Sequence, residues 1–120
     1  AYGAGTIFKL APSGKETVLY SFAGAPDAGY PVGRLLLDSK GNLFGTTSYG
    51  GMFDVGAVFE LSSAGNESVL YSFTGGADGA YPFDGLVDDA SGNLYGTTIL
   101  GGNFGSSCSN GCGVVFKVGR

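Results

Sequence analysis

Histidine is absent from the 120 residues. That removes Ser-His-Asp and Cys-His nucleophile machinery, and any imidazole metal site with it. What could still do chemistry is one pair of cysteines, a few carboxylates and a set of loop aromatics. Cys108 and Cys112 are separated by Ser-Asn-Gly inside a glycine loop. Two soft ligands do not complete a tetrahedral zinc site and no second pair exists, so the expectation is that they bond to each other. Closing so short a loop would stabilise it by about 2 kcal/mol in the chain-entropy model. A disulfide also points to an oxidising compartment. Asp27 and Asp78 occupy matched positions in AGAPDAGYP and TGGADGAYP. Asp38, Asp88 and Asp89 adjoin tight turns, where carboxylates cap backbone N–H groups. Calcium would need several convergent oxygens, and neither EF-hand nor Asp-rich nonapeptide spacing is present. No metal and no cofactor is therefore expected.

The elements that must hold these residues are repeats. GTIFKL at 5–10 returns as GAVFEL at 56–61 and as GVVFKV at 113–118. LYSF at 19–22 returns at 70–73, and YPVGRLLLDSKGNLFGTT from Tyr30 returns as YPFDGLVDDASGNLYGTT from Tyr81. Each step is 51 residues except the last, which is 57 because GGNFGSSCSNGCG replaces the shorter GGMFDVG. An insertion confined to a loop leaves a repeat framework intact.

Turn chemistry divides one unit into four strands, a to d. Strand a spans 34–38 and again 85–89, ending in the Gly-Asn turns Gly41-Asn42 and Gly92-Asn93, which suit a tight hairpin. Strand b spans 43–47 and 94–98; strand c spans 6–10, 57–61 and 114–118; strand d spans 17–22 and 68–73. Gly or Pro interrupts every window long enough for a helix. In strand c, Phe8, Phe59 and Phe116 point one way and Ile7, Val58 and Val115 the other, so both sheet faces should be covered, as in stacked propeller blades. A two-sheet sandwich is the alternative. The expected fold is thus all-β, in tandem four-stranded antiparallel repeats. One domain, 1–120, would hold a partial blade (1–22), a full blade (33–73) and a three-stranded partial blade (84–118).

Composition narrows the function. A net charge of −4 and a pI near 4.4 offer no basic footprint for nucleic acid. No apolar run reaches the roughly 18 residues of a membrane span. No leader pattern is visible at the amino end, and a trimmed chain would look the same. At 43% hydrophobic, with 24 Gly in no collagen triplet, the chain reads as short strands and tight turns, not as disorder.

DSKGNLF at 38–44 and DASGNLY at 89–95 resemble the a–b hairpin of NHL-type and gluconolactonase-type propellers. More specifically, GxVFKL, LYSF and DGLVxDxxGNLYGTTxxGG together resemble the Gloeo/Verruco (GloVer) tandem repeat over essentially the whole chain. That resemblance implies a bacterial protein exported to the cell surface; it implies no activity. Gluconolactonase-type propellers hold a catalytic metal on acidic and Asn ligands, and nothing here maps onto such a set.

In an antiparallel blade the b–c and d–a connections leave from one end. That face gathers the loops 23–32, 48–55, 74–83 and 99–112, and with them Asp27, Tyr30, Tyr49, Asp54, Asp78 and Tyr81. Aromatics beside carboxylates suit sugars, since rings stack on sugar faces and carboxylates accept hydroxyl hydrogens. The competing reading is that the Tyr-Pro pairs lock the blade crossover with the ring packed inward. Tyr2, Phe53 and Phe104 share a repeat position and are expected to pack. Asn66-Glu67-Ser68 fits a glycan acceptor pattern, with Asn66 expected bare.

Strand counting gives c-d, a-b-c-d, a-b-c. Propellers close with about four to eight blades, so this chain alone does not close a ring. Simple complementation between copies would supply strand c twice at each junction. We expect a non-catalytic extracellular scaffold, a segment of a longer array or an assembling unit whose partners are other repeats. Surface aromatics on the long-loop face would favour the alternative, a glycan- or protein-binding module.

Overall fold

The computed structural model describes residues 3–119, and every regular element in it is a strand. The expected turns set the strand ends. Asp38 accepts the N–H groups of Lys40 and Asn42, and Asp89 those of Ser91 and Asn93, so each Gly-Asn hairpin is closed by one carboxylate. Asn93 and Tyr95 also donate to Asp89 and hold its carboxyl down at about 2.

The strands are β1 (Thr6–Leu10), β2 (Glu16–Ser21), β3 (Ala28–Leu37), β4 (Leu43–Gly50), β5 (Ala57–Leu61), β6 (Glu67–Ser72), β7 (Ala80–Pro82), β8 (Val87–Asp88), β9 (Leu94–Leu100) and β10 (Val115–Val118). They form three antiparallel sheets: β1-β2, then β3-β4-β5-β6, then β10-β9 with β7 and β8 both on the far side of β9. These are blades c-d, a-b-c-d and a-b-c, with the last strand a split in two. The blades stay open and do not close a ring.

Two differences from the sequence reading have physical causes. The segment around Tyr30-Pro31 is strand, not loop, because β4 runs on to Gly50 and pairs with Ala28 and Gly29; β7 does the same against β9. In strand d, Ile7 pairs with Tyr20 and Phe8 with Val18, leaving Leu19 as an extra residue; Leu70 is the extra residue in β6. Such a bulge turns the strand over. Val69 therefore packs toward the first blade, while Leu70 and Phe73 pack toward the third.

The core lies between blades, in two copies of one interface. The first joins Ile7 and Phe22 to Phe59 and Leu61; the second joins Val58 and Phe73 to Phe116 and Val118. The rings meet edge to face in both, Phe22 on Phe59 at 5.1 Å and Phe73 on Phe116 at 4.9 Å. Covered faces on both sides hold only for the middle blade, where Val58 and Phe59 are fully buried. In the first blade Phe8 is 59% exposed, and in the last Val115 is 80% exposed, because each faces away from the stack.

Candidate functional site

The Tyr-Pro pairs knit one blade to the next. Tyr30 N–H donates to Ala4 O at 2.6 Å, and Tyr81 N–H to Val55 O at 2.8 Å, each reaching into the b–c loop of the preceding blade. Pro31 and Pro82 lie against Gly5 and Gly56, where an added Cβ would sit 2.5 Å from a proline ring carbon. Those glycines have φ of 101° and 110°, so both sterics and backbone require glycine.

The locking is done by backbone and proline; the Tyr30 ring is left outside, and Tyr81 is half-buried. Tyr30 is 54% exposed and Tyr49 44%. Tyr30, Tyr49 and Tyr81 form an edge-to-face row with centroids 5.5 Å and 5.3 Å apart, running from the middle blade to the third. The competing reading, with the ring packed inward, does not describe Tyr30, and Tyr81 is half-buried. Both sit at positive φ, 57° and 54°, a conformation that costs a residue with a Cβ about 1–2 kcal/mol. Phe53 and Phe104, expected to pack, are also exposed, because the b–c loops that carry them project beyond the sheets. Tyr2, their counterpart, lies outside the described residues.

The carboxylates of the same face are engaged elsewhere. Asp27 accepts from the Tyr20 hydroxyl at 3.0 Å and from the N–H groups of Ala23 and Ala28. Asp78 accepts from the Tyr71 hydroxyl at 2.8 Å and from the N–H and hydroxyl of Thr74. Burial pushes the Asp78 carboxyl up, but the Thr74 and Tyr71 hydrogen bonds outweigh it and leave it below the usual range. Asp54, at φ 57°, accepts Gly50 N–H and shapes its own loop. The structure therefore brings Tyr30, Tyr49 and Tyr81 together and places Asp27, Asp54 and Asp78 in the loop framework.

Glu67 went unnoticed in the sequence. It opens β6, and its Oε1 is buried with no hydrogen-bond partner among the described residues. Burial, then the neighbouring Asp27 carboxylate, pushes its carboxyl up to about 7. Burial and the Asp27 hydrogen bond raise the Tyr20 phenol to about 12. A proton on Glu67 would let it donate to Asp27 across the first blade interface. The available signal was the recurrence of Glu at the same repeat position, Glu16 and Glu67.

Cys108 and Cys112 are paired, with Cα atoms 5.3 Å apart, at the base of the inserted loop. Asn66 is exposed in the c–d turn of the middle blade, its N–H bonded to Ser62 Oγ. Among the described residues no three His, Cys, Asp or Glu side chains cluster as metal ligands, and no helix is long and apolar enough to cross a membrane. No curated protein and no solved structure matches the chain. The model of the Gloeobacter/Verrucomicrobia repeat matches residues 1–120, and the chain belongs to that family.

Proposed function

We propose that this repeat domain is a non-catalytic extracellular scaffold that works by stacking blade on blade, against further repeats or other copies of itself. The observation that carries this reading is the recurrence of one interface core together with its two uncovered halves. The first blade presents Phe8 and Leu10 to solvent where Phe59 and Leu61 are buried in the middle blade. The last presents Val115 where Val58 is buried. Each end face is the mate of the other, and apolar surface of this kind drives association. The Cys108–Cys112 bond supports an oxidising location outside the cytoplasm. Sedimentation equilibrium at micromolar concentration is the test. Mass rising with concentration is expected; a single 12.1 kDa species throughout would refute the stacking role.

A second reading rests on the tyrosine row. Three rings stand in line, Tyr30 and Tyr49 exposed and Tyr81 half-buried, and the positive φ of Tyr30 and Tyr81 is one that glycine would adopt without strain; these features favour a surface for an extended glycan. Pyranose rings would lie along Tyr30, Tyr49 and Tyr81, with the phenol hydroxyls bonding sugar hydroxyls. Titration with β-linked gluco- and chito-oligosaccharides tests it. Tyr49→Ala should weaken binding about tenfold, near 1.4 kcal/mol. Unchanged affinity, or no binding by the wild type, removes this reading.

A further inference from the structure

The inserted loop of the third blade changes the chemistry beside the tyrosine row. In the middle blade the Asp54 carboxylate accepts Gly50 N–H and closes the b–c turn. In the third blade the equivalent N–H, that of Gly101, donates to the Asn110 backbone carbonyl at 2.9 Å. The insertion thus takes a charge out of this place, and the exposed Asn110 side-chain amide has no part in the turn bond. The bond between Cys108 and Cys112 closes a short loop with Asn110 at its middle.

That loop is seated on the crossover from strand d to strand a. Gly102 N–H donates to Gly76 O at 2.9 Å, and a Cβ added to Gly101 would lie 2.5 Å from Gly79 Cα. Gly111 packs down on Gly101 in turn, where an added Cβ would lie 2.1 Å from the carbonyl oxygen. Between loop and crossover a cavity of about 350 Å³ opens, lined by Val55, Ala80, Tyr81, Leu100, Phe104 and Asn110. Its size lies within the range of small-ligand sites, about 300–1,000 Å³. Tyr81 is the last ring of the Tyr30, Tyr49, Tyr81 row, so the cavity continues that row. Phe53, the repeat counterpart of Phe104, is 53% exposed although the third blade stacks beyond it. An outward ring at this position therefore belongs to the loop itself.

We infer that this cavity takes an acetamido sugar, one N-acetylhexosamine unit of a glycan lying along the row. The inference rests on the glycan reading of the tyrosine row and names its sugar. Among the described residues no Asp, Glu, Lys or Arg lines the cavity, and the chain carries a net charge of −4. An anionic sugar would gain no charged partner there and would meet net repulsion. Tyr81 and Phe104 supply aromatic surface, and Asn110 supplies the polar group that fixes orientation. An acetamido group uses both ends of that amide: its carbonyl accepts from Asn110 Nδ2 and its N–H donates to Asn110 Oδ1. Its methyl has the aliphatic side chains of Val55, Ala80 and Leu100 to pack on. A hydroxyl at the same carbon leaves those side chains unfilled and cannot make both bonds. A site that bonds a ligand group discriminates against the analogue lacking it.

Calorimetric titration of the full chain with N-acetylchitotetraose and with cellotetraose tests this, since the two differ only in the acetamido group. The wild type should bind the acetamido sugar about tenfold tighter or more. Asn110→Ala alters an exposed side chain and keeps the backbone carbonyl that holds Gly101. It should lower the affinity for N-acetylchitotetraose to the level of cellotetraose and leave cellotetraose unchanged. Tyr49→Ala, outside the cavity, should weaken both sugars alike and so reports on the row. Equal affinities in the wild type, tighter binding of cellotetraose, or a preference that survives Asn110→Ala would overturn the acetamido site. The row reading stands in those cases if Tyr49→Ala still weakens binding. No binding of either sugar removes both.

Discussion

Glu67 makes the stability of the first blade interface depend on pH in the direction opposite to an ordinary surface carboxylate. Its folded carboxyl titrates at about 7 against a reference of 4.5, from burial first and the Asp27 charge second. The folded chain therefore holds this proton more tightly than the unfolded chain does. Stability from this group is fully present below about pH 4.5 and is lost as pH rises through about 7. A shift of that size is worth at most about 3 kcal/mol, and partial exposure of the side chain reduces it to roughly 1–2 kcal/mol. Glu67→Gln keeps a neutral donor beside Asp27 and removes the titration. The assay is urea unfolding at one fixed protein concentration, at steps from pH 4.5 to pH 8. Wild-type stability should fall by roughly 1–2 kcal/mol across that range, and the variant should stay level and exceed the wild type at pH 8 by about the same amount. A wild type that gains stability with pH here, or a slope that survives in Glu67→Gln, would refute the reasoning.

Phe59→Ala should cost about 3–5 kcal/mol in chemical denaturation, whereas Phe8→Ala, at the equivalent repeat position but 59% exposed, should cost less than about 1 kcal/mol in the monomer. Gly56→Ala places a Cβ 2.5 Å from the Pro82 ring at φ 110° and should destabilise the chain by roughly 2 kcal/mol or more, read as a lowered Tm. Tyr71→Phe removes the hydroxyl bonded to Asp78 and should cost about 1–2 kcal/mol in the same assay. Cys108→Ser with Cys112→Ser should loosen the inserted loop by about 2 kcal/mol locally. Faster proteolysis within 103–112 would register it while the blade cores stay folded.

The strands and their order were legible because tight-turn residues recur at fixed spacing: Gly41-Asn42 and Gly92-Asn93 end strand a, and the carboxylates of Asp38 and Asp89 close those turns. The bulge in strand d was not. VLYSF alternates plausibly in either register, and only pairing with β1 or β5 shows Leu19 and Leu70 as the extra residues. That bulge sends Val69 to one interface and Phe73 to the other, so the two-faced character of the strand depends on tertiary register. On the long-loop face the sequence located Asp27 and Asp78 but not their use, since their partners Tyr20 and Tyr71 come from the preceding strand. The exposure of Tyr30 follows from where Pro31 meets Gly5, a contact between units that no single unit displays and that Pro82 repeats with Gly56.

Electron cryomicroscopy of the wild-type chain at concentrations where it sediments as an assembly tests the central claim most directly. The account predicts blades following one another through every junction, with the edge-to-face phenylalanine core seen at Phe22–Phe59 and Phe73–Phe116 recurring between copies. Copies related by two-fold axes, or joined through the tyrosine row with both end faces still bare, would contradict it.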